Sequence, residues 1–222
     1  PEAPPECCGM AFAYGLRTAT EVGGDTYDHR TLPDGGILLA FGDATGHGLQ
    51  AGLLVTAVKA LFHTLPPGLS LPEALLFISE GVRSLRMPRM AMALTLLRRD
   101  DDLLRFAAAG MPPLLHFKAA ENQVETHRTL GPPLGQLKHF PYTEQRLRLG
   151  PGDAILLCSD GFPECLDPGN RMLGYERTAP LFHRYATLPP EALLQALFAE
   201  TEAWAQGRPL ADDLSFLVMR RD

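Results

Sequence analysis

The heptapeptide Gly42-Asp43-Ala44-Thr45-Gly46-His47-Gly48 joins two apolar segments of different periodicity. An uninterrupted apolar run at 37–41 precedes it and predicts a buried strand. After it, apolar residues recur at helical spacing from Leu49 to Leu65. The heptapeptide therefore places a carboxylate where a buried strand meets a helix. Its glycines allow the backbone to approach a ligand closely, because glycine has no Cβ and adopts positive φ readily.

Other acidic residues share this context. Asp25 follows Gly23-Gly24, Asp160 follows the apolar run 154–158, and the pair Asp212-Asp213 precedes the apolar run 214–219. Carboxylates at strand ends can converge on one edge of a sheet, where they need cations because an unpaired buried charge is costly. Oxygen ligands favour Mg²⁺ or Mn²⁺. An Asp beside Gly is also typical of turns and helix N-caps. The residues alone therefore do not decide between a binuclear metal site and a set of carboxylates that lie in turns.

The remaining candidates are interpreted as structural. Asp28, Asp34, Asp100 to Asp102, Asp153 and Asp167 are assigned to turns or caps, His47 to a solvated loop or helix start, and Ser159 and Ser215 to structural hydroxyls. The histidines form no HxH or HExxH pair, which disfavours a zinc hydrolase. No phosphate-binding glycine motif follows a strand, which disfavours nucleotide binding of that kind.

The composition is that of an ordinary globular protein and argues against several classes of function. The chain has 222 residues, of which 45% are hydrophobic and 21% charged, and its formal net charge is −6. The acidic balance and the lack of a basic run argue against nucleic-acid binding. No apolar stretch reaches the roughly 18 residues of a membrane span. The four cysteines (Cys7, Cys8, Cys158 and Cys165) have no metal-ligand spacing, so a reducing, cytoplasmic location fits best.

The N-terminus indicates a linker. Pro1 to Pro5 is proline-rich, and the chain does not begin with Met. We therefore assign residues 1–8 to a linker remnant and 9–222 to a single domain, the C-terminal part of a longer protein. A processed or renumbered full-length chain would begin in the same way.

Periodicity predicts an alternation of strands and helices. Predicted strands cover 10–17, 37–41, 91–97, 103–108, 114–117, 143–149, 154–158 and 214–219. A further predicted strand carries Asp25 and forms a hairpin with 37–41. Predicted helices cover 49–65, a segment from an N-cap at Ser70 to Arg86, 175–185 and 190–206. Ser70 and Glu73, three residues apart, have the spacing of a capping box, and Pro72 lies in the first turn.

The ordered motifs resemble the metal-dependent protein phosphatase superfamily (PPM, or protein phosphatase 2C), in its bacterial SpoIIE/RsbU-like branch. They are Glu21-Val22-Gly23-Gly24-Asp25, the heptapeptide, Ser159-Asp160-Gly161 and Asp212-Asp213-Leu214-Ser215. Segments 109–114, 130–135 and 149–153 add to the resemblance, which covers nearly the whole chain from about residue 9.

The resemblance implies an α+β fold, a four-layer αββα sandwich of two mostly antiparallel sheets, with two Mn²⁺ or Mg²⁺ ions at one end. Asp43 would bridge both ions, the carbonyl of Ala44 would bind the first, and Asp25 would act on it through water. Asp160 and Asp212 would hold the second ion. Asp213 matches a position outside the direct ligands, although one sequence does not settle the choice between Asp212 and Asp213.

The same resemblance implies that the chain would be a serine/threonine phosphatase in which a water bridging the ions attacks phosphorus. The implied substrate is a phosphorylated regulator, such as a STAS-type anti-sigma-factor antagonist, and an upstream sensor domain would gate activity through the first two helices. Homodimerisation stays open. The alternatives are a weak or inactive signalling module of this fold, and a two-metal phosphodiesterase or small-molecule phosphatase.

The chain departs from the family pattern at three places. Ala44 replaces a Val, Met or Gly, which matters little because its backbone carbonyl would be the ligand. Met111 stands where relatives usually have His, so any role of that His is absent. The phosphate-binding Arg of eukaryotic relatives has no clear counterpart, because Arg17 lies too far upstream of Asp25. Phosphate binding would then depend more on the ions.

Overall fold

The computed structural model describes residues 9–100 and 102–222. The predicted linker at 1–8, with Cys7 and Cys8, and Asp101 of the predicted charged turn lie outside these ranges. The strands are β1 (Met10–Arg17), β2 (Asp25–Thr31), β3 (Ile37–Ala44), β4 (Met92–Asp100), β5 (Leu103–Ala109), β6 (Leu114–Lys118), β7 (Gln123–His127), β8 (Gln145–Arg148), β9 (Ala154–Cys158) and β10 (Leu214–Arg221). The helices are α1 (Leu49–His63), α2 (Leu71–Ser84), α3 (Tyr175–Tyr185) and α4 (Pro190–Ala205).

The elements fall into two compact units. The first contains the described residues up to Ala19, Pro112–Arg128 and Leu149–Asp222. Its antiparallel sheet has the order β1-β10-β9-β6-β7. Helix α4 contacts β1 and β10, and α3 contacts β6 and β7. Leu115, Phe117, Leu156 and Phe216 form the core with α3 and α4, so alternate residues of these strands lie on the sheet face that the helices cover.

The second unit comprises Thr20–Met111 and Thr129–Arg148. Its antiparallel sheet has the order β2-β3-β4-β5-β8, and α1 and α2 contact this sheet and each other. Leu38, Ala40 and Ala44 of β3 belong to the core formed with the helices. Because side chains alternate along a strand, Asp43 lies on the opposite face of the sheet.

The predicted helix boundaries are correct to within about two residues. The predicted capping box of α2 is confirmed: the backbone N–H of Ser70 donates to Glu73 Oε2 at 2.8 Å and the hydroxyl oxygen of Ser70 accepts from the Glu73 N–H at 3.4 Å. Helix α1 ends at His63 rather than at Leu65. Leu65 is buried in the core after the helix has ended.

Strands β3 and β4 run further than their apolar sequences indicate, whereas β8 is shorter than the predicted 143–149. Strand β3 extends through Asp43 and Ala44, because it continues to pair with β2 and β4. Strand β4 includes Arg98 and Asp100, so the predicted charged turn is shorter than expected. Strand β7 was not predicted, since Gln123–His127 is polar and mostly exposed at a sheet edge.

The α+β class and two antiparallel five-stranded sheets with four helices are confirmed. Within the described part of the chain, no helix has the length and hydropathy that a membrane crossing requires.

Candidate metal-binding carboxylates

Asp25 and Asp43 are directly opposite one another on β2 and β3. We call them the β2–β3 pair. Asp25 is buried, with 6% of its surface exposed, and Asp43 is half-buried. Like charges that face each other across two strands repel. A cation bound between the two carboxylates would remove that repulsion.

The backbone around the β2–β3 pair depends on glycine. The N–H of Ala44 donates to the carbonyl of Gly24 at 3.0 Å, and the N–H of Gly48 donates to the carbonyl of Val22 at 2.9 Å. A Cβ at position 24 would lie 2.5 Å from the carbonyl oxygen of Ala44, which is closer than a side chain tolerates. The segments on either side of the pair can therefore approach this closely only because residue 24 has no side chain.

The second set of acids lies where β9 ends and β10 begins. It consists of Asp160, Asp212 and Asp213, which we call the β9–β10 cluster. The two strands are joined here through Ser159: its N–H donates to the carbonyl of Ser215 at 3.1 Å, and its hydroxyl oxygen accepts from the N–H of Ser215 at 3.0 Å. These hydrogen bonds confirm the structural role predicted for Ser159.

The two neighbouring acids of the cluster have different environments. Asp213 is buried, and its Oδ1 accepts a hydrogen bond from the N–H of Ala19 at 2.8 Å. Asp212 is exposed, and its Oδ1 accepts from the N–H of Asp213 at 2.8 Å. The carboxylate of Asp213 therefore holds the N-terminal segment of its unit, whereas that of Asp212 remains accessible to a ligand.

Asp160 has the electrostatic environment expected of a cation ligand. Its Oδ1 is buried and has no hydrogen-bond partner among the described residues. Burial, together with the negative charges of Asp212 and Glu164, raises the pKa of Asp160 above its ordinary value. A positive ion bound here would compensate the desolvation and the repulsion. The donors of both sets are oxygens, which suits Mg²⁺ or Mn²⁺, so these residues fit the implied ions.

Two further residues next to Asp160 were not identified from the sequence. The N–H of Glu164 donates to the carbonyl of Asp160 at 2.9 Å, one turn later in the chain. Tyr175 donates its hydroxyl to Glu164 Oε1 at 3.4 Å. Burial and the charges of Glu164 and Asp160 raise the pKa of Tyr175 to about 12, so the hydroxyl keeps its proton. The four-residue spacing of Asp160 and Glu164 was the only available sequence signal.

A groove of about 570 Å³ lies beside the β9–β10 cluster, since Cys158 and Tyr175 form part of its wall. Pro112, Pro113 and Leu115 give it an apolar floor, and Arg128 adds a positive charge. Apolar walls with a few polar groups are typical of ligand sites.

The assignment to a turn or cap is wrong for Asp28 and holds for Asp153. Asp28 lies in β2 rather than in a turn and is buried. Its Oδ2 forms an ion pair with Lys59 Nζ at 3.1 Å and lies 3.1 Å from His63 Nε2. Asp153 closes the turn at Gly150: its N–H donates to the carbonyl of Gly150 at 3.1 Å, and its Oδ2 accepts from the N–H of Gly150 at 2.8 Å. It is also buried, with His116 Nε2 and the N–H of Ala119 as further hydrogen-bond partners.

Other residues are placed as expected. His47 is exposed in the turn before α1. Arg17 contacts Glu202 and stacks on Phe198, with its Cζ 4.3 Å from the ring centroid. Arg17 is therefore held by residues of its own unit. This agrees with the expectation that it is not the counterpart of the phosphate-binding Arg of eukaryotic relatives.

The structure thus brings Asp25 and Asp43 together in one unit, and Asp160, Asp212 and Asp213 together in the other. The family model described as Stage II sporulation protein E (SpoIIE) matches residues 33–222. This chain belongs to the SpoIIE family. The matched residues include Asp43 and the β9–β10 cluster, whereas Asp25 precedes them.

Individual proteins agree with the family assignment. The phosphoserine phosphatase RsbU of Bacillus subtilis (strain 168) is 24% identical over 208 residues, which are 91% of this chain and 61% of RsbU. The chain therefore spans about three fifths of the length of that curated relative. The SiaA-PP2C domain of Pseudomonas aeruginosa superposes with a TM-score of 0.85 at 23% identity, covering 95% of this chain and 85% of that domain.

A more distant structure is that of RsbX in complex with magnesium. It has a TM-score of 0.70 at 10% identity and covers 96% of both chains. At these identities the superpositions show the fold that the chain shares with these proteins. The fold of protein phosphatase 2C, expected from the motifs, is confirmed.

Proposed function

We propose that this chain is a metal-dependent serine/threonine protein phosphatase that acts on a phosphorylated regulatory protein. The observation that carries the proposal is the environment of Asp160, whose buried Oδ1 has no hydrogen-bond partner among the described residues and whose pKa is raised by burial and by Asp212 and Glu164. A carboxylate kept in this state within a phosphatase family is best explained as a cation ligand.

The proposed ligands come from both sets of acids. Asp25, Asp43 and the carbonyl of Ala44 would hold a cation in one unit, and Asp160 and Asp212 would hold a cation in the other. Two Mn²⁺ or Mg²⁺ ions, when bound, supply a water of lowered pKa and offset the charge of a phosphoryl group. Asp213 would act by positioning, since its carboxylate fixes Ala19.

The groove next to the β9–β10 cluster would receive the substrate residues on either side of the phosphoserine or phosphothreonine. Pro112, Pro113 and Leu115 would contact apolar side chains, and Arg128 would attract negative charge. Tyr175 would offer a protonated hydroxyl beside Asp160. The similarity to RsbU, a phosphoserine phosphatase, supports the substrate class, and we extend it to a STAS-type anti-sigma-factor antagonist as substrate and to an upstream sensor domain as regulator.

The substrate class is tested by measuring Mn²⁺-dependent release of inorganic phosphate from a phosphoserine protein, a small aryl phosphate monoester and an aryl phosphate diester. We expect the catalytic efficiency to be highest for the phosphoprotein. Preferential cleavage of the diester or of the small monoester would contradict the assignment to protein phosphatases. Binding of the phosphoprotein without turnover, with Mn²⁺ bound, would show a signalling module instead.

A further inference from the structure

Three side chains with metal-binding atoms lie together on β6 and β7, outside the sites described so far. His116 is directly opposite Glu125 in the strand register, and His127 is two residues further along β7. Because side chains alternate along a strand, Glu125 and His127 project from the same face. One ligand atom from each of the three residues lies within 4.8 Å of the other two. We call His116, Glu125 and His127 the His116 cluster.

The tautomer of His116 follows from its neighbour Asp153. The carboxylate of Asp153 accepts hydrogen bonds from the N–H of Ala119 at 2.8 Å and of Gly150 at 2.8 Å. His116 Nε2 lies 2.9 Å from Asp153 Oδ2. An ionised carboxylate can only accept, so Nε2 must carry the proton and donate it. In the neutral ring, Nδ1 then has a free lone pair.

This lone pair is buried and unused. The side chain of His116 is 3% exposed, and Nδ1 has no hydrogen-bond partner among the described residues. A buried acceptor without a donor costs free energy, so its presence calls for an explanation. At metal sites a histidine commonly donates one ring nitrogen to a carboxylate and binds the ion through the other, and His116 has this first hydrogen bond and a nitrogen left over.

We propose that His116, Glu125 and His127 bind a divalent transition-metal ion of the Zn²⁺ type. Two imidazoles and a carboxylate are a ligand set that Zn²⁺ accepts, and imidazole favours such ions over Mg²⁺. Ligands at about 2.0–2.1 Å in a tetrahedron are separated from one another by roughly 3.4 Å. His127 Nε2 and Glu125 Oε2 are 3.4 Å apart, so this pair already has the required spacing.

Glu125 has the freedom to complete the site. Its side chain is 45% exposed, and its Oε1 lies 3.2 Å from Lys118 Nζ while Oε2 faces His127. The Oε2 atom can therefore coordinate an ion without breaking the ion pair with Lys118. A small rotation of this side chain would adjust the distance between Oε2 and the ring of His116.

The His116 cluster is separate from the β9–β10 cluster, and the proposal does not rest on phosphatase activity. His116 pairs with Ile155 near the start of β9, whereas Asp160 follows the end of that strand. A bound ion would fasten the edge strand β7 to β6 and, through Asp153, to the turn at Gly150. The site would be structural or regulatory.

The test measures Zn²⁺ binding by titration calorimetry on the full chain, freed of metals and kept in excess Mg²⁺ so that oxygen-ligand sites are occupied. The variants His127→Gln and Glu125→Gln alter residues that are partly exposed and should fold. His139→Gln, which changes an exposed histidine outside the cluster, is the matched control. We expect both cluster variants to weaken Zn²⁺ binding by at least about tenfold, and the control to bind as the wild type does.

Two spectroscopic readouts identify the ligands directly. Co²⁺ in the same site should give the visible absorption of a tetrahedral ion, and this absorption should be lost in His127→Gln. Nitrogen NMR of the histidine rings should show His116 protonated at Nε2 and its Nδ1 resonance shifted by Zn²⁺. Equal Zn²⁺ affinity in the wild type and both cluster variants, or a His116 Nδ1 resonance that Zn²⁺ leaves in place, would overturn the proposal.

Discussion

Gly161 lies so close to Asp213 that a Cβ at position 161 would be 2.0 Å from the carbonyl oxygen of Asp213. The glycine of the Ser159-Asp160-Gly161 motif is thus required by the backbone of the Asp212-Asp213 motif. Two motifs that are far apart in the sequence are fitted to each other at the start of β10. We therefore expect the position of Asp160 relative to Asp212 to depend on this contact.

Replacing this glycine should disturb the stability of the chain and its metal site together. We expect Gly161→Ala to lower the free energy of unfolding by about 1–3 kcal/mol, the usual cost of overpacking, and to raise the Mn²⁺ concentration needed for activity. Urea unfolding and a Mn²⁺ titration of phosphatase activity measure the two effects. Gly150→Ala is the control, since a Cβ there would make ordinary contacts at 3.6 Å or more. Wild-type behaviour of Gly161→Ala would contradict this account.

Asp212 and Asp213 should have separable roles. Asp212→Ala removes an exposed carboxylate, so we expect loss of Mn²⁺-dependent activity. We expect little loss of stability, because water can replace the one hydrogen bond that Asp212 accepts, from the N–H of Asp213. Asp213→Ala leaves the N–H of Ala19 without its acceptor and should lower the free energy of unfolding by about 1–3 kcal/mol. Activity assays and urea unfolding of both variants measure the loss of activity and the loss of stability separately. Full activity of Asp212→Ala with weakened Mn²⁺ binding in Asp213→Ala would reverse the assignment.

Asp28 should make the stability depend on pH in the acid range. Burial alone would raise its pKa, but the hydrogen bonds from Lys59, the N–H of His29 and His63 outweigh burial, so the pKa lies below the ordinary value of 3.8. A lowered pKa means that the stabilisation is complete above pH 3.8 and is lost as the pH falls through the folded-state pKa.

Asp28→Asn should therefore reduce the free energy of unfolding at pH 7 by about 1.5–3 kcal/mol, the range for hydrogen bonds to charged groups. The difference from the wild type should shrink as the pH falls below 3.8. Urea unfolding between pH 7 and pH 3 measures this difference, with the exposed Glu80→Gln as control. A difference that does not change with pH would show that the charge of Asp28 contributes nothing.

Removing the positive charge from the groove beside the β9–β10 cluster should weaken binding of the phosphoprotein. Arg128 lines the groove, whereas the proposed ligands are carboxylates and a carbonyl. We expect Arg128→Ala to raise KM for the phosphoprotein severalfold and to change kcat little, since such a loss removes substrate binding and leaves the chemistry intact. Steady-state kinetics on the phosphoprotein and on a small aryl phosphate provide the comparison. An equal loss with both substrates would argue against a role in protein recognition.

Much of the fold follows from local sequence signals. The all-apolar run of β9 and the capping box at Ser70 were sufficient to predict their elements, because burial and capping act on neighbouring residues. Strand β7 could not be predicted in this way. Its sequence is polar, and it is a strand because β6 supplies hydrogen-bond partners.

The site residues also divide into those that local sequence signals identify and those whose partners are brought to them only by folding. The acids of the two sets could be selected from their positions beside apolar runs or, for Asp25, beside a glycine pair, but the sequence did not distinguish Asp28 from a turn residue. Its partners Lys59 and His63 are on α1 and meet it only in the folded chain. The His116 cluster was missed for a related reason, since the HxH search covers one strand and the cluster spans two.

The central claim is that the acids hold ions that make phosphoester hydrolysis possible. The most direct measurement is phosphate release from a phosphoserine protein, with and without Mn²⁺, by the wild type, Asp43→Asn and the exposed turn variant Asp34→Asn. We predict Mn²⁺-dependent release by the wild type and Asp34→Asn, and a loss of at least about tenfold in Asp43→Asn. Undiminished release by Asp43→Asn, or by the wild type in the presence of a chelator, would contradict the account.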